Sequence, residues 1–144
     1  MRLHLLKTGQ NEGDPVSSHQ DNNYSLVLRL EMGAKAFIFP GDLEAEGEER
    51  LIKMYGPSLK ADVLVAPHHG SAHSCTKAFL EMVRPEIVVF SAGQENRFGF
   101  PSSETLARVR RIGAQVYRTD RHGAVFLQTD GERLKVRTYR ARDD

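Results

Sequence analysis

Three short apolar runs in the middle of the chain each end in a polar loop and are followed by a helical pattern. The runs are "KAFIFP", "DVLVA" and "EIVVFS", and the helical patterns that follow them are "LEAEGEERLIKMYG", "TKAFLEMV" and "SSETLARVRRIG". Apolar strands that alternate with amphipathic helices are typical of βαβ units, in which a helix connects parallel strands. The sequence therefore predicts an α/β domain, with one mixed β-sheet and helices packed on it.

Both ends of this alternating region indicate antiparallel pairing. "YSLVLRLE" alternates between apolar and polar residues, and "KAFIFP" follows it after a turn at Gly33, which predicts a hairpin. The short segments "QVYRT", "AVFLQTD" and "RLKVRTY" predict strands near the C-terminus. Residues 8–23 are polar and rich in turn formers, so we expect an exposed loop there. We expect a single domain over residues 1–144, because a chain of this length supports one core but not two.

Polar residues of special types follow each of the three apolar strands. The first strand ends at Gly41 and Asp42, and the second at "PHHGS", which contains His68, His69 and Ser71. The third ends at "SAGQENRFGFP", which contains Asn96. Because the carboxyl ends of parallel strands form the functional edge of an open α/β sheet, these loops are expected to meet. One carboxylate and two imidazoles are suitable ligands for zinc, manganese or iron.

The two adjacent histidines are not expected to bind one ion as equals. Neighbouring residues at the end of a strand point in opposite directions, so one imidazole would bind the metal while the other contacts a ligand or the substrate. An alternative is that His68 and His69 are hydrogen-bonded loop residues without a ligand. Asp42 also has an alternative role, because an aspartate before a helix often acts as its N-cap.

Charge is unevenly distributed along the chain. Residues 1–96 hold nine lysines and arginines against 13 acidic residues, whereas residues 97–144 hold 11 against six. A basic segment that includes Arg108 and Arg111 suits a polyanion such as nucleic acid, although a solvated helix face with a basic tail explains the pattern equally well. No apolar run approaches the roughly 20 residues needed to cross a bilayer. The lone Cys75 excludes an internal disulfide.

These segments together resemble the metallo-β-lactamase-like domain of ComEC-type competence proteins, which take up DNA through a bacterial membrane. The similar segments are "DNNYSLVLRLEMGAKAFIFPGDLEAEGEERLI", "LKADVLVAPHHGSAHS" and "FLEMVRPEIVVFSAGQENRFGFPSSETLARVRRIGAQVYRTDRHGAV". Their order and spacing match the family from about Leu3 to Gln128. The resemblance implies the C-terminal half of an αββα sandwich, and a metal-dependent hydrolase that cleaves DNA phosphodiester bonds during uptake.

The resemblance also implies roles for individual residues. It suggests Asp42 and His68 as ligands of a divalent metal, zinc or manganese, and Asp42, His68 and His69 as the catalytic group. Ser71 and Asn96 would contact the substrate or support the site, and the helix with Arg108 and Arg111 would follow the backbone of single-stranded DNA. In a longer protein the domain would be attached to a bacterial membrane, with the remainder of that protein as its partner.

Two departures from the family limit what this chain is expected to do. The family's main metal motif, His-x-His-x-Asp-His, is absent, since His4 and His19 have the wrong spacing, and we expect that motif upstream in a longer chain. Phe100 stands where the family often has a histidine, and it cannot bind a metal. We therefore expect the soluble 144-residue domain to bind no metal and to be inactive alone. Its uncovered sheet face indicates either a homodimer or a fragment of a longer chain. Two alternatives remain: a non-catalytic module that binds DNA or a partner, and a hydrolase of small esters.

Overall fold

The computed structural model describes residues 1–8 and 21–141 of the chain. Most of the exposed loop predicted over residues 8–23 falls on residues 9–20, which lie outside the described residues, as does His19. That part of the sequence analysis therefore stays a prediction.

A six-stranded mixed sheet forms the centre of the fold. Its strands lie side by side in chain order: β1 Arg2–Leu6, β2 Val27–Met32, β3 Lys35–Phe39, β4 Val63–Val65, β5 Ile87–Phe90 and β6 Gln115–Arg118. The first three strands pair antiparallel, and β3 to β6 pair in parallel. Helices α1 Ala45–Tyr55, α2 Lys77–Val83 and α3 Ser103–Arg111 connect the parallel strands, because parallel pairing needs a crossover. The predicted α/β class is confirmed.

The three helices bury one face of the sheet. Apolar side chains on alternate strand positions meet apolar side chains of the helices, and the central members of this core are fully buried: Ile38, Leu64, Val88, Phe90, Leu51, Phe79 and Val109. The spacing of Leu106 and Val109 in α3 puts both on the sheet side, while Arg110 and Arg111 face outward. The loops that follow β3, β4 and β5 are consequently held at one edge of a rigid sheet.

The C-terminal hairpin covers the opposite face and corrects the expectation of a single sheet. Strands β7 Val125–Thr129 and β8 Leu134–Thr138 pair only with each other, as a second, two-stranded sheet. Their inward side chains pack on a second core, whose buried members are Phe37, Val63, Ile87, Val89 and Tyr117. Full burial of an aliphatic side chain contributes roughly 1.5–3 kcal/mol to the free energy of unfolding, so this contact stabilises the hairpin on the sheet. Because the hairpin packs there, the expectation that this face is left uncovered is wrong for β3 to β6.

Two glycines fix where the hairpin lies on the sheet. Gly33, in the β2–β3 turn, has a left-handed φ of 56°, and a Cβ atom there would come within 2.5 Å of the Gly131 carbonyl oxygen. Gly131 lies in the β7–β8 turn, and its carbonyl accepts a 2.6 Å hydrogen bond from Ala34 N–H. The two turns are thus in direct backbone contact, because neither position carries a side chain.

Among the described residues, a patch on the β1 side of the second face is apolar and exposed. Strand β1, which the sequence analysis did not predict, exposes Leu3 by 65% and Leu5 by 52%, and Phe39 on β3 is 37% exposed. In the registers of β1 with β2 and of β2 with β3, these side chains lie on the same face as Phe37. A homodimer through the sheet is still a proposal, and it is now restricted to this smaller patch.

Side chains cap two of the three helices. Ser102 accepts a hydrogen bond from Thr105 N–H at the start of α3, and Thr76 accepts one from Phe79 N–H at the start of α2. Asp42 does not cap α1, whose N-cap residue is Glu44, without a side-chain cap bond. Within the part of the chain that the structure describes, no helix is both long enough and apolar enough to cross a membrane.

A buried carboxylate joins α1 to the start of α2. The sequence places Glu48 among four acids near the beginning of α1, but its side chain is fully buried. It accepts hydrogen bonds from the backbone N–H groups of Cys75 and Thr76, at 2.6 and 2.8 Å. Burial raises the pKa of the Glu48 carboxyl. It also raises the pKa of the neighbouring Cys75 thiol, so this fully buried side chain packs in the core as a thiol and not as a reactive thiolate.

We expect Glu48→Ala to lower the free energy of unfolding by roughly 3 kcal/mol, because two buried N–H groups lose their acceptor. Glu49→Ala is the matched control, since Glu49 is the next residue of α1 but its side chain is 63% exposed and pairs only with Lys53. That control should leave stability nearly unchanged, because an exposed ion pair contributes little. Chemical denaturation of both variants measures the difference, and equal values would contradict the assigned role of Glu48.

Candidate functional site

The turn Pro67–Gly70, directly after β4, connects the three strand-end loops. Its backbone N–H at His68 donates to the Gly41 carbonyl, at 3.0 Å, in the loop after β3. The Gly70 carbonyl accepts from Ser102 N–H at 2.9 Å, at the end of the loop after β5. The prediction that these loops meet at one edge of the sheet agrees with this geometry. The turn is the centre of the candidate site.

The backbone of this turn is left-handed at three successive residues. His68 and His69 have φ angles of 47° and 54°, and Gly70 has 86°. A non-glycine residue in this region costs about 1–2 kcal/mol, and such outliers are concentrated at functional sites. A Cβ atom on Gly70 would lie 2.6 Å from the Phe90 ring and 2.7 Å from Pro101, so only glycine fits there. The turn therefore carries two histidines in a strained backbone conformation.

His69 faces Asp42 with a free ring nitrogen. Its Nδ1 lies 2.7 Å from the Ser91 carbonyl oxygen, and because a carbonyl only accepts, Nδ1 carries the proton. In the neutral ring the lone pair is then on Nε2, which lies 3.7 Å from Asp42 Oδ1. Both side chains are about half exposed, at 53% and 51%. A backbone carbonyl that fixes the tautomer in this way is typical of metal-binding histidines.

His68 points away from this pair, toward α1. Its Nδ1 lies 3.1 Å from Glu44 Oε1, but the angles are not those of a hydrogen bond, and among the described residues this buried nitrogen has no hydrogen-bond partner. The 3.1 Å separation is short enough for an ion pair, but without suitable angles Nδ1 makes no hydrogen bond to Glu44. The other side of the ring contacts Phe100 edge-on, with 5.5 Å between ring centroids. The two imidazoles thus diverge, as predicted, but it is His69 and not His68 that lies beside Asp42.

The Asp42–His69 pair fits one side of a cation site. Two atoms that each bind an ion at about 2.1 Å can be at most about 4.2 Å apart, and the 3.7 Å separation satisfies that limit. Stable zinc sites use three or four protein ligands. Within residues 1–8 and 21–141, no group of three or more histidine, cysteine, aspartate or glutamate residues could hold a metal. The residues that the structure describes therefore supply two donors, and a third would have to come from elsewhere.

Asn96 shapes the loop after β5 and has little capacity left for a substrate. Its amide nitrogen donates to the carbonyls of Gly93 and Phe100, at 2.9 and 2.7 Å, and its oxygen accepts from Phe100 N–H at 2.9 Å. These three bonds close the loop into a compact turn. Asn96 therefore acts as a support for the residues around it, one of the two roles that the sequence analysis allowed.

Ser71 and Arg108 are hydrogen-bonded within the protein, which leaves them little capacity for the predicted contacts with substrate. Ser71 is 3% exposed, and its hydroxyl accepts from His73 N–H. The partly buried Arg108 guanidinium lies 2.7–3.1 Å from the backbone carbonyls of Ala72, Ser74 and Cys75, to which it donates. These three carbonyls belong to the loop that follows the histidine turn. Arg108 thus holds this loop in place.

Other arginines line a cleft at the exposed edge of β6. The cleft has a volume of about 790 Å³ and includes Arg110, Arg121 and Arg140, all exposed, as well as Arg118, which forms an ion pair with Asp120. Arg111 is also exposed, on the next position of α3, as the sequence predicted. Neither Asp42 nor His69 lines this cleft, although its volume exceeds the roughly 490 Å³ of the pocket that His69 lines. Its chemistry suits a phosphate-bearing ligand.

Two further histidines differ in exposure. His73 is exposed. His122 is not a surface residue, because it is 8% exposed and its Nδ1 accepts a 2.9 Å hydrogen bond from Arg118 N–H. The helical turn α4 Thr119–His122 folds the ring back against Tyr117. The sequence offered no periodicity there, because four residues are too few for a helical pattern to be recognised.

The chain is similar over most of its length to three named bacterial proteins. It is 40% identical over 112 residues to ComE operon protein 3 of Bacillus subtilis, which covers 78% of this chain and 14% of that protein. It is 43% identical over 105 residues to competence protein ComA of Neisseria gonorrhoeae, an alignment that covers 73% of this chain and 15% of that protein. It is 31% identical over 127 residues to recombination protein 2 of Haemophilus influenzae, an alignment that covers 88% of this chain and 16% of that protein.

The chain is a competence-protein homologue. It spans about one seventh of the length of these curated relatives, so their similarity concerns this segment alone. No protein-family profile matches the chain. The competence-protein family is thus supported by the relatives, while the metallo-β-lactamase-like assignment of this homologue stays a proposal.

We expect Arg108→Ala to destabilise this competence-protein homologue by about 2 kcal/mol, because three backbone carbonyls lose a charged donor. Arg111→Ala is the control, since Arg111 lies on the exposed side of the same helix. It should leave the midpoint of thermal unfolding unchanged. Differential scanning calorimetry of both variants tests this, and a stable Arg108→Ala protein would return Arg108 to the predicted role in substrate binding.

Proposed function

We propose that this chain is the C-terminal half of a metallo-β-lactamase-like hydrolase domain that cleaves DNA phosphodiester bonds during DNA uptake. The observation that carries this proposal is the Asp42–His69 pair, in which a carboxylate oxygen and an imidazole lone pair face each other at 3.7 Å. The rigid ends of β3 and β4 hold the pair, and the hydrogen bond from His69 to Ser91 fixes its tautomer. The ordered resemblance of the whole segment to the ComEC-type domain supports the same assignment.

Asp42 and His69 would hold a divalent ion, zinc or manganese, together with ligands from outside the described residues. The sequence analysis assigned the imidazole ligand to His68; we propose its neighbour His69 instead, because His69 Nε2 faces Asp42. His68 would keep a supporting role between Glu44 and Phe100. A divalent ion in such a site polarises a phosphoryl oxygen and lowers the pKa of bound water. Asp42 and His69 also leave their site open, because half of each side chain is exposed.

The proposed substrate is single-stranded DNA. The arginine cleft beside β6 offers three exposed guanidinium groups, which would bind backbone phosphates in a salt-dependent manner. Arg111 would add a fourth contact from α3. Arg108 is not among the proposed DNA contacts, because its guanidinium donates hydrogen bonds to the loop before α2. On α3 the proposed contacts are therefore Arg110 and Arg111.

The chain matches only about one seventh of each relative, so the rest of such a longer protein is its first proposed partner. We propose that the remainder of a membrane-attached competence protein supplies the missing ligands and the upstream His-x-His-x-Asp-His motif. The exposed patch of Leu3, Leu5 and Phe39 is where that remainder, or a second copy of this chain, would cover the sheet. Both occupants bury the same apolar surface, so they exclude each other.

A second function, a non-catalytic module that binds DNA or a partner, is favoured by one specific observation. The residues that the structure describes contain no group of three potential metal ligands. Phe100, which packs on His68, offers no donor. A domain with two donors and a basic cleft could retain binding after losing hydrolysis.

Cleavage of labelled single-stranded DNA, with manganese or zinc, tests the first function against the second. The assay uses this chain and also the gene product read from further upstream, so that any His-x-His-x-Asp-His segment is present. In the longer product, Asp42→Ala and His69→Ala should each lower cleavage by about 100-fold or more, since each removes a metal donor. His73→Ala, which removes an exposed imidazole six residues after the turn begins, should leave cleavage unchanged.

Other outcomes of this assay contradict specific parts of the proposal. Lost activity in His68→Ala with full activity in His69→Ala would return the ligand role to His68. Salt-sensitive DNA binding without turnover in any metal would establish the non-catalytic module. Turnover of small esters together with indifference to DNA would establish the third alternative. The 144-residue chain alone should show no cleavage.

A further inference from the structure

Two phenylalanine rings are stacked at the edge of the candidate site. Phe98 and Phe100 lie nearly parallel, with 5.5 Å between ring centroids and 18° between ring planes. Phe98 is 63% exposed, which is unusual for so large an apolar side chain in an ordered loop. The guanidinium carbon of Arg97 lies 4.7 Å from the centre of the Phe98 ring. We call this group, Arg97, Phe98 and Phe100, the aromatic platform.

The platform is held rigidly from below. Phe100 contacts the His68 ring edge-on, and its backbone N–H and carbonyl are both bonded to the Asn96 amide. Phe98 therefore stands on a support that is fixed by the histidine turn and by Asn96. A rigid, exposed ring binds a flat partner with little loss of conformational entropy.

A pocket connects the platform to the Asp42–His69 pair. Its volume is about 490 Å³, and its lining includes His69, Ser91, Asn96, Phe98, Phe100 and Thr119. The His69 ring thus forms one wall, and the two phenylalanines form another. A flat group stacked on the platform would lie beside the imidazole that faces Asp42.

The same loop separates this pocket from the arginine cleft. Gly93 and Thr119 line the pocket, and their chain neighbours Gln94 and Asp120 line the cleft. The two cavities are therefore adjacent, one aromatic and the other basic. This alternation of aromatic and basic surface is what single-stranded nucleic acid requires, because its bases stack and its phosphates pair with cations.

We propose that the aromatic platform stacks a nucleobase of single-stranded DNA beside the Asp42–His69 pair. This inference rests on the proposed function and adds a base-binding subsite to it. Every nucleobase presents a flat π face, so the platform selects unpaired bases without selecting sequence. Arg97 adds a cation that can stack on a base or contact its phosphate. A duplex, whose bases are already stacked on each other, has no face to offer.

Fluorescence anisotropy of two labelled oligonucleotides, in buffer with a chelator so that no cleavage occurs, tests this inference. One is an ordinary single strand, and the other has the same length and charge but abasic sugars in place of its bases. We expect Phe98→Ala to weaken binding of the ordinary strand about tenfold and to leave binding of the abasic strand unchanged. Phe98→Tyr, which keeps the ring, should restore the affinity.

Phe126→Ala is the matched control. Phe126 on β7 is also a phenylalanine that is 52% exposed beneath an arginine, Arg137, but it lies in the separate hairpin sheet. Its replacement should change neither affinity. Equal losses of affinity for both strands in Phe98→Ala, or no loss for either, would overturn the proposal that the platform stacks a base. Neither result would contradict the proposal that the domain binds DNA. Loss of cleavage in Asp42→Ala tests the proposed function separately, so the failure of one is not the failure of the other.

Discussion

The left-handed backbone at His68, His69 and Gly70 reverses the chain immediately after β4, and the geometry of the whole site depends on it. Because of this turn, His68 is directed under the loop toward Glu44, and His69 is directed outward toward Asp42. The strain is balanced by hydrogen bonds that leave the turn in two directions, to Gly41 and from Ser102. Neighbouring histidines thereby acquire different surroundings, one partly buried and one half exposed, and could not exchange roles without rebuilding three loops.

The scaffold under this turn is covered on both faces for most of its width. Three helices bury one face of the parallel strands, and the C-terminal hairpin buries the other, where Val63 has no exposed surface. Rigid strands can hold the residues at their carboxyl ends to within about 0.5 Å of a productive geometry, which is the precision that two metal-binding side chains require. The functional surface is then divided into two neighbouring cavities, the aromatic pocket beside His69 and the arginine cleft beside β6.

Sequence reasoning predicted the parts of the fold that depend on local periodicity. The alternating pattern of strands and helices located β2 to β6 and α1 to α3, and strand ends located Asp42 and the histidines. It could not tell that β7 and β8 form their own sheet, because a period of two does not identify a strand's partner. The sequence also could not predict which charged residues are removed from solvent. Glu48 is buried and Arg108 is partly buried because of tertiary contacts, which helical periodicity does not reveal. The choice between His68 and His69 depends on two φ angles that histidine adopts rarely, and no pattern of residue types encodes it.

The tautomer of His69 tests the central claim most directly. Long-range ¹H–¹⁵N NMR of the imidazole rings, recorded well above the ordinary histidine pKa of about 6.5, distinguishes a protonated Nδ1 from a protonated Nε2, with His69→Gln identifying the signal. The structure predicts a proton on Nδ1, bonded to the Ser91 carbonyl, and an unprotonated Nε2 facing Asp42. A proton on Nε2 would contradict the account, because that nitrogen could then bind no cation beside Asp42.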